Sequence, residues 1–142
     1  MDLLFTIANS AAMVGWVLMI FAPRFAATRF LVLSGALMLA LAATYITLIV
    51  LYFGNSEGNF SSLDGVMQLF QNREAVIAGW IHYLAFDLFV GSWIVSNSRK
   101  LGIRHLYVIP CLFFTFMFGP AGLLLYYVVR AAVTKKILQE NF

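Results

Sequence analysis

The sequence has little charge and very few cysteines, prolines or histidines. Its 142 residues include only nine basic and six acidic side chains, three prolines, two histidines and one cysteine. The lone Cys111 excludes an internal disulfide and a cluster of thiolates. His82 and His105 stand in different segments without spaced carboxylate or thiolate partners, so no metal site is expected. A Gly-rich phosphate loop and a Ser-His-Asp nucleophile motif are also missing, which removes the common phosphoryl-transfer and hydrolase signatures.

What the chain does contain is apolar sequence, since 63% of its residues are hydrophobic. Four long apolar runs follow one another: Leu3 to Pro23, Phe30 to Ser56, Ala75 to Ser98 and Leu106 to Val129. Each run exceeds the roughly 20 residues that a membrane-spanning helix needs. The sequence therefore predicts an all-α, polytopic membrane protein with four transmembrane helices. With no internal repeat, low-complexity tract or domain boundary, residues 1–142 are expected to form one domain.

The net charge of +3 does not indicate a nucleic-acid partner, because the basic residues stand at the ends of the apolar runs. Membrane lipid is the partner that this placement favours. Two short loops carry most of these residues: Arg24, Arg29, Arg99, Lys100 and Arg104. By the positive-inside rule they lie on the cytoplasmic or stromal side, which puts both termini on the other side.

The expected spans are Leu3 to Ala22, Phe30 to Phe53, Ala75 to Ser96 and Leu106 to Val133. The fourth contains Gly119-Pro120, and an internal proline kinks or breaks a helix. Arg130, Lys135 and Lys136 conflict with the orientation above, and a re-entrant segment that turns at Gly119-Pro120 would remove the conflict. A kinked span is the preferred interpretation, because each half is too short to cross alone.

The loop from Gly54 to Glu74 is predicted to contain a short helix. Ser62 can cap a helix over Leu63 to Gln71, whose apolar side chains favour a position along the membrane interface. Such a helix either anchors the loop at the interface or covers a site between the spans.

The segment from Gly79 to Gly91 places His82 and Asp87 inside the third span. An ionisable side chain at the bilayer centre costs about 2.5 to 3.5 kcal/mol on insertion scales, so such residues usually have a function or a partner. At about 100° per residue, the aromatic, Gly, His and Asp side is expected to face the other helices. The opposite side is expected to face lipid: Ile77, Ile81, Leu84, Leu88 and Val95.

Alternating topology predicts a polar cluster at one depth of the membrane. His82 is expected level with Asn9, Thr47 and Tyr126, with Asp87 nearer the midplane. Such a cluster, bordered by aromatic side chains, is typical of a cavity for an elongated apolar molecule with a polar end. Two other interpretations remain open: His82 and Asp87 as interhelical hydrogen-bonding groups, and haem ligation by His82.

Three stretches together resemble one known family. They are Ile-Ala-Asn at residues 7–9, Gly-Trp-Ile-His-Tyr-Leu-Ala-Phe-Asp-Leu-Phe-Val-Gly at residues 79–91, and Phe-Gly-Pro-Ala-Gly-Leu-Leu-Leu-Tyr at residues 118–126. The chain is similar over nearly its whole length to the abscisic-acid-deficiency-4-like family, which comprises plant neoxanthin-synthase-type membrane proteins and their bacterial and algal relatives. Because the sequence starts directly at the first span, a bacterial relative in an inner or thylakoid membrane is expected.

The resemblance implies isomerisation of violaxanthin to neoxanthin, in which an epoxide opens to an alcohol and an allene forms, with no cofactor. His82 and Asp87 would then share the acid and base roles. The implied substrate-binding residues are Asn9, Thr47, Glu74, Trp80, Tyr83, Phe86, Trp93, Tyr126 and Arg130. The alternatives are a non-catalytic membrane protein or assembly factor that binds a carotenoid, another pigment or a quinone, and a proton-coupled transporter.

Overall fold

Six α-helices and one π-helical turn make up the described part of the chain, which has no β-strand. The computed structural model describes residues 1–52, 54 and 57–135. The α-helices are α1 (Asp2–Phe21), α2 (Ala36–Tyr52), α3 (Leu63–Leu69), α4 (Arg73–Lys100), α5 (His105–Phe118) and α6 (Pro120–Thr134), and the π-helix spans Thr28–Leu33. The all-α prediction is confirmed. Phe53, where the second span was predicted to end, and Lys136 lie outside the described residues.

Among the described residues, two helices are long and apolar enough to cross a membrane. These are α1, with 20 residues, and α4, with 28. The first span is confirmed within a residue at each end, and α4 extends the third span at both ends. These lengths and the apolar composition support a membrane protein.

The predicted second span is divided into two pieces. The π-helix ends at Leu33, and α2 begins after Gly35, which has a φ of +88° that side chains disfavour. The buried Thr28 hydroxyl donates to the Ala22 carbonyl at 2.6 Å and so fixes the π-helix to the end of α1. The α2 helix is therefore 17 residues long, shorter than the predicted span.

The fourth apolar run is a helical hairpin, so the prediction of a single kinked span is wrong. A Cβ atom on Gly122 would meet the Thr115 backbone nitrogen and the Cys111 carbonyl oxygen. In a continuous helix, positions seven residues apart lie about 10 Å apart along the axis. Gly119 makes the reversal with a φ of +51°, and α6 returns along α5.

The hairpin brings α6 back toward the end of α4 that carries the basic loops. The Tyr126 hydroxyl donates to Asn97 Oδ1 at 2.7 Å, close to the C-terminal end of α4. Lys135 follows α6 and thus lies toward the basic end of the bundle. Its charge therefore no longer conflicts with the predicted orientation of the basic loops.

The short helix α3 is confirmed, although it ends two residues before Gln71. The Ser62 side chain accepts a hydrogen bond from the Gly65 amide at 3.1 Å, as a helix N-cap does. Leu69 is buried against the bundle, and the neighbouring Phe70 covers Gly79 of α4. The helix consequently lies over one end of the bundle and covers a cavity there.

Candidate functional site

The central helix α4 buries the side that was expected to face lipid. Ile81, Leu88 and Val95 are completely buried, whereas Phe86 is 58% exposed and His82 is also exposed. That expectation was wrong because lipid tails and protein interiors are equally apolar, so hydrophobic periodicity does not separate them. The side chains of α4 instead pack against α1, α2 and the α5–α6 hairpin.

His82 faces a groove of about 300 Å³ between α2, α3 and α4, which we call the His82 groove. Its lining residues are Tyr45, Ile49, Phe60, Leu69, Phe70, Ala75, Ala78, Gly79 and His82. The imidazole ring lies 4.6 Å from the Phe86 ring and 5.3 Å from the Tyr45 ring, measured between centroids. This groove therefore offers one imidazole group among mainly apolar and aromatic walls.

Asp87 faces a different cavity, of about 240 Å³, between α1, α4 and α5, which we call the Asp87 cavity. Its lining residues are Asn9, Ala12, Met13, Trp16, Trp80, Tyr83, Leu84, Asp87, Phe116 and Met117. Asp87 is only 8% exposed, and its Oδ2 atom has no hydrogen-bond partner. A buried carboxylate oxygen without a hydrogen-bond partner costs free energy, and a donor group that bonded to it would offset that cost.

Tyr83 is the polar neighbour of Asp87 in this cavity. It stands one helical turn earlier on α4, and its hydroxyl group interacts with the carboxylate. The same hydroxyl donates a long hydrogen bond of 3.5 Å to the Phe116 carbonyl. A hydroxyl and a carboxyl thus stand side by side on an apolar cavity, as proton exchange between ligand and protein requires.

The hairpin turn lies against the Asp87 side chain. Asp87 Oδ1 lies 3.1 Å from the position that a Cβ atom on Gly119 would occupy. Glycine is therefore needed at residue 119 both for its positive φ and for the close approach of the carboxylate.

Asn9 and Trp80 form the outer wall of the cavity. The Trp80 Nε1 atom donates to Asn9 Oδ1 at 3.0 Å, and Asn9 Nδ2 donates to the Phe5 carbonyl at 2.7 Å. Trp80 and Met13 are 40% and 47% exposed, so the cavity opens toward the surface that lipid would cover.

Three predicted site residues lie in a separate cluster near the basic end of the bundle. The Trp93 ring packs edge-on against Tyr126 at 5.5 Å, and Arg130 lies 5.8 Å above the Tyr127 ring. Arg130 is 4% exposed, with no hydrogen-bond partner for Nε or Nη1. The prediction that Tyr126 is level with His82 was wrong, because the hairpin carries α6 away from that depth.

Thr47 and Glu74 line neither cavity. The exposed Thr47 hydroxyl donates to the Ala43 carbonyl of its own helix at 2.8 Å. Glu74 is half-buried in the first turn of α4. The structure thus brings Asn9, Trp80 and Tyr83 together with Asp87, and leaves His82 and Phe86 on another side of α4.

The predicted site residues did not include Trp16, Phe116 or Asn97. Trp16 and Phe116 pack together at 5.7 Å on the wall of the Asp87 cavity, and Asn97 is buried against Tyr126. Asn97 precedes a basic stretch and so resembled a loop residue. Within the described ranges, no three His, Cys, Asp or Glu side chains come close enough to hold a metal ion.

The family model described as ABA DEFICIENT 4-like matches residues 3–126 of the chain. This range contains both cavities and every predicted site residue except Arg130. No curated protein and no solved structure matches the chain significantly. The family match covers most of the sequence and confirms the resemblance: the chain belongs to the ABA DEFICIENT 4-like family.

Proposed function

We propose that this protein is an intramembrane isomerase that acts on a carotenoid epoxide, in the manner of neoxanthin synthase, and that the reaction takes place in the Asp87 cavity. Membership of the ABA DEFICIENT 4-like family supports the substrate class. The observation that carries the proposal is the buried Asp87 carboxyl group, which interacts with the Tyr83 hydroxyl and whose Oδ2 atom has no hydrogen-bond partner.

The proposed architecture is a multi-pass bundle in a bacterial inner or thylakoid membrane. In it α1, α4 and the segment containing α2 cross the bilayer, while α5 and α6 enter and leave from one side. The two hairpin helices have 14 and 15 residues, or about 21 to 23 Å each, which is shorter than the roughly 30 Å of hydrocarbon. Their turn at Gly119 then lies inside the membrane, at the depth of Asp87.

The proposed reaction needs one proton delivered and one proton removed. The carbon–oxygen bond of the epoxide breaks on the side nearer the polyene, and the oxygen takes the Tyr83 proton to become an alcohol. Asp87 removes the proton from the adjacent vinylic carbon, whose electron pair completes the allene. Since the two side chains are neighbours, the proton that Asp87 gained can pass to the Tyr83 oxygen and restore both groups.

The size of the Asp87 cavity suits one end of a carotenoid. A cavity of about 150 Å³ accepts benzene, so about 240 Å³ is on the scale of a single substituted ring. The polyene would leave through the opening beside Met13 and Trp80 and lie along the lipid-facing surface. Asn9, Trp80 and Tyr83 are the proposed binding residues here, and Trp16 and Phe116 join them.

The test is conversion of violaxanthin by the purified, lipid-reconstituted protein, measured by chromatography of the extracted pigments. We expect Asp87→Asn to lower the rate about 100-fold or more and Tyr83→Phe about 10- to 100-fold, the usual range for loss of general acid–base catalysis. His82→Gln, outside the cavity, should retain most of the activity.

Asp64→Asn makes the same chemical change as Asp87→Asn at an exposed position and serves as the matched control. Circular dichroism and thermal unfolding verify that each variant folds. A folded Asp87→Asn protein that isomerises at the parent rate would rule out the proposed chemistry.

The His82 groove favours a second candidate function, non-catalytic binding of a carotenoid, another pigment or a quinone. The groove is the larger of the two spaces and its walls are mainly apolar and aromatic. Pigment that copurifies chemically unchanged and is lost in His82→Ala, but not in Asp87→Asn, would support this function. Chemical conversion that depends on Asp87 would contradict it.

A further inference from the structure

The basic end of the bundle contains a third pocket, which has no part in the proposed isomerase reaction. It measures about 290 Å³ and lies where the end of α1 meets the loop between α4 and α5. Its charged and polar lining side chains are Arg24, Ser98, Arg99, Arg104 and His105. No acidic side chain lines it, and the five described carboxylates lie in other parts of the fold.

Two of these side chains hold the pocket together. An Arg99 Nη2 group donates to the Pro23 carbonyl, and His105 Nε2 lies 2.9 Å from the Ile20 carbonyl. Since a carbonyl oxygen only accepts, His105 Nε2 must carry the proton. The first bond connects the chain just after α1 to the last turn of α4, and the second connects α1 to the first residue of α5, so the walls of the pocket are fixed without a ligand.

The other two cations are available to bind. Arg24 and Arg104 are exposed, and within the described ranges neither has an ion-pair partner. Arg104 is also the N-cap of α5, a 14-residue helix with no side-chain cap at this end. The amides of its first turn add positive potential to the same pocket.

We infer that this pocket binds a phosphate group, with Arg24 and Arg104 as its principal ligands. Guanidinium groups match phosphate oxygens with paired hydrogen bonds, and crowded cations without carboxylates favour an anion over a neutral ligand. The phosphate can belong to an anionic phospholipid headgroup or be free in solution, and the chemistry is the same. The position at the basic end favours the lipid.

The test uses the full-length protein in a neutral detergent, with thermal unfolding as the measure of binding. Three probes are titrated separately: short-chain phosphatidylglycerol, short-chain phosphatidylcholine and inorganic phosphate. We expect saturable stabilisation by phosphatidylglycerol and weaker stabilisation by the zwitterionic lipid. Saturable stabilisation by inorganic phosphate, with the same dependence on the arginines, would identify a free phosphate as the ligand.

The double variant Arg24→Gln/Arg104→Gln should bind phosphatidylglycerol about 30-fold more weakly than the parent protein. Each cation near an anionic headgroup contributes about fivefold to the affinity, and the two factors multiply. The matched control is Lys100→Gln/Lys135→Gln, which removes the same charge from exposed residues that do not line the pocket. Equal affinities of the two double variants, or equal stabilisation by the two lipids, would overturn the inference.

A measurement on the parent protein does not depend on how the variants fold. Phosphatidylglycerol binding should weaken severalfold as sodium chloride rises from about 0.05 to about 0.5 M, because the contacts are partly exposed charges. Affinity that does not change with salt would also overturn the inference.

Discussion

At the scale of single residues, Asp87 shows how a side chain acquires a chemical role from its neighbours. The sequence shows only that a carboxyl group lies within an apolar helix. In the structure, one carboxylate oxygen is packed against Gly119 and the other has no partner. Tyr83 supplies the adjacent hydroxyl. The proposed proton exchange depends on that pair, whereas His82 faces the other groove.

Two glycines of α4 provide a test of the packing at this scale. A Cβ atom on Gly91 would lie 2.8 Å from the buried Trp16 ring, whereas one on Gly79 would lie 3.5 Å from Phe70. Gly79→Ala should raise stability by up to about 1 kcal/mol, because alanine favours the helix. The free energy of unfolding of Gly91→Ala should be about 1 to 3 kcal/mol lower than that of Gly79→Ala, which is the usual cost of overpacking.

Thermal unfolding of both variants in one detergent measures this difference. Gly79→Ala is the internal control, since it makes the same substitution in the same helix. Equal stability of Gly91→Ala and Gly79→Ala would contradict the close packing of Trp16 of α1 on Gly91 of α4.

At the scale of helices, the α5–α6 hairpin decides which residues can meet. The positive φ of Gly119 makes the reversal, and Gly122 allows α6 to contact the backbone of α5 at Thr115. Because α6 turns back, Tyr126 and Arg130 lie beside the basic end of α4, away from His82. The polar residues that were predicted to meet at one depth, one from each of four spans, are therefore separated.

The hairpin predicts that replacing a helical glycine by alanine destabilises the protein, although alanine has the higher helix propensity. Gly122→Ala should destabilise the protein by about 3 kcal/mol or more, because its Cβ meets backbone atoms that no rotamer change can move. The neighbouring Ala121 is exposed, and Ala121→Gly should cost only about 1 kcal/mol. The midpoints of thermal unfolding in detergent measure the relative stability of the two variants. The reverse ranking would argue for a continuous kinked helix.

At the scale of the whole molecule, the charges are divided between the two ends of the bundle. Asp2, Glu57, Asp64 and Glu74 lie toward the end that α3 covers, where Arg73 pairs with Asp2. The loops that contain Arg24 and Arg104 lie at the opposite end. The concentration of basic residues in the loops at one end is the pattern that orients a protein in a bilayer.

The hairpin therefore predicts that residue 135 lies on the same side of the membrane as the basic loops. In a Cys111→Ser background, single cysteines at Lys135, Ala26 and Asn59 can be labelled with an impermeant maleimide in sealed vesicles. We expect Lys135→Cys to react together with Ala26→Cys, and Asn59→Cys to react only in vesicles of the opposite orientation. Labelling of Lys135→Cys together with Asn59→Cys would instead support a fourth complete span.

The sequence by itself determined the local features of this protein. Apolar composition predicted helices, the ends of α1 were placed within a residue, and Ser62 was identified as the cap of α3. The interruption at Gly119-Pro120 was also predicted. These features depend on hydrophobicity, backbone conformation and capping, which act over a few neighbouring residues.

Only the tertiary structure decided which faces are buried and how the chain reverses. The buried side of α4 could not be predicted, because lipid and protein interior place the same demand on Ile81 and Leu88. A kink and a reversal at Gly119 look alike in sequence, and the fit of Gly122 against α5 distinguishes them. That long-range contact separates His82 from Tyr126 and brings Gly119 against Asp87, which stands one helical turn from Tyr83 on α4.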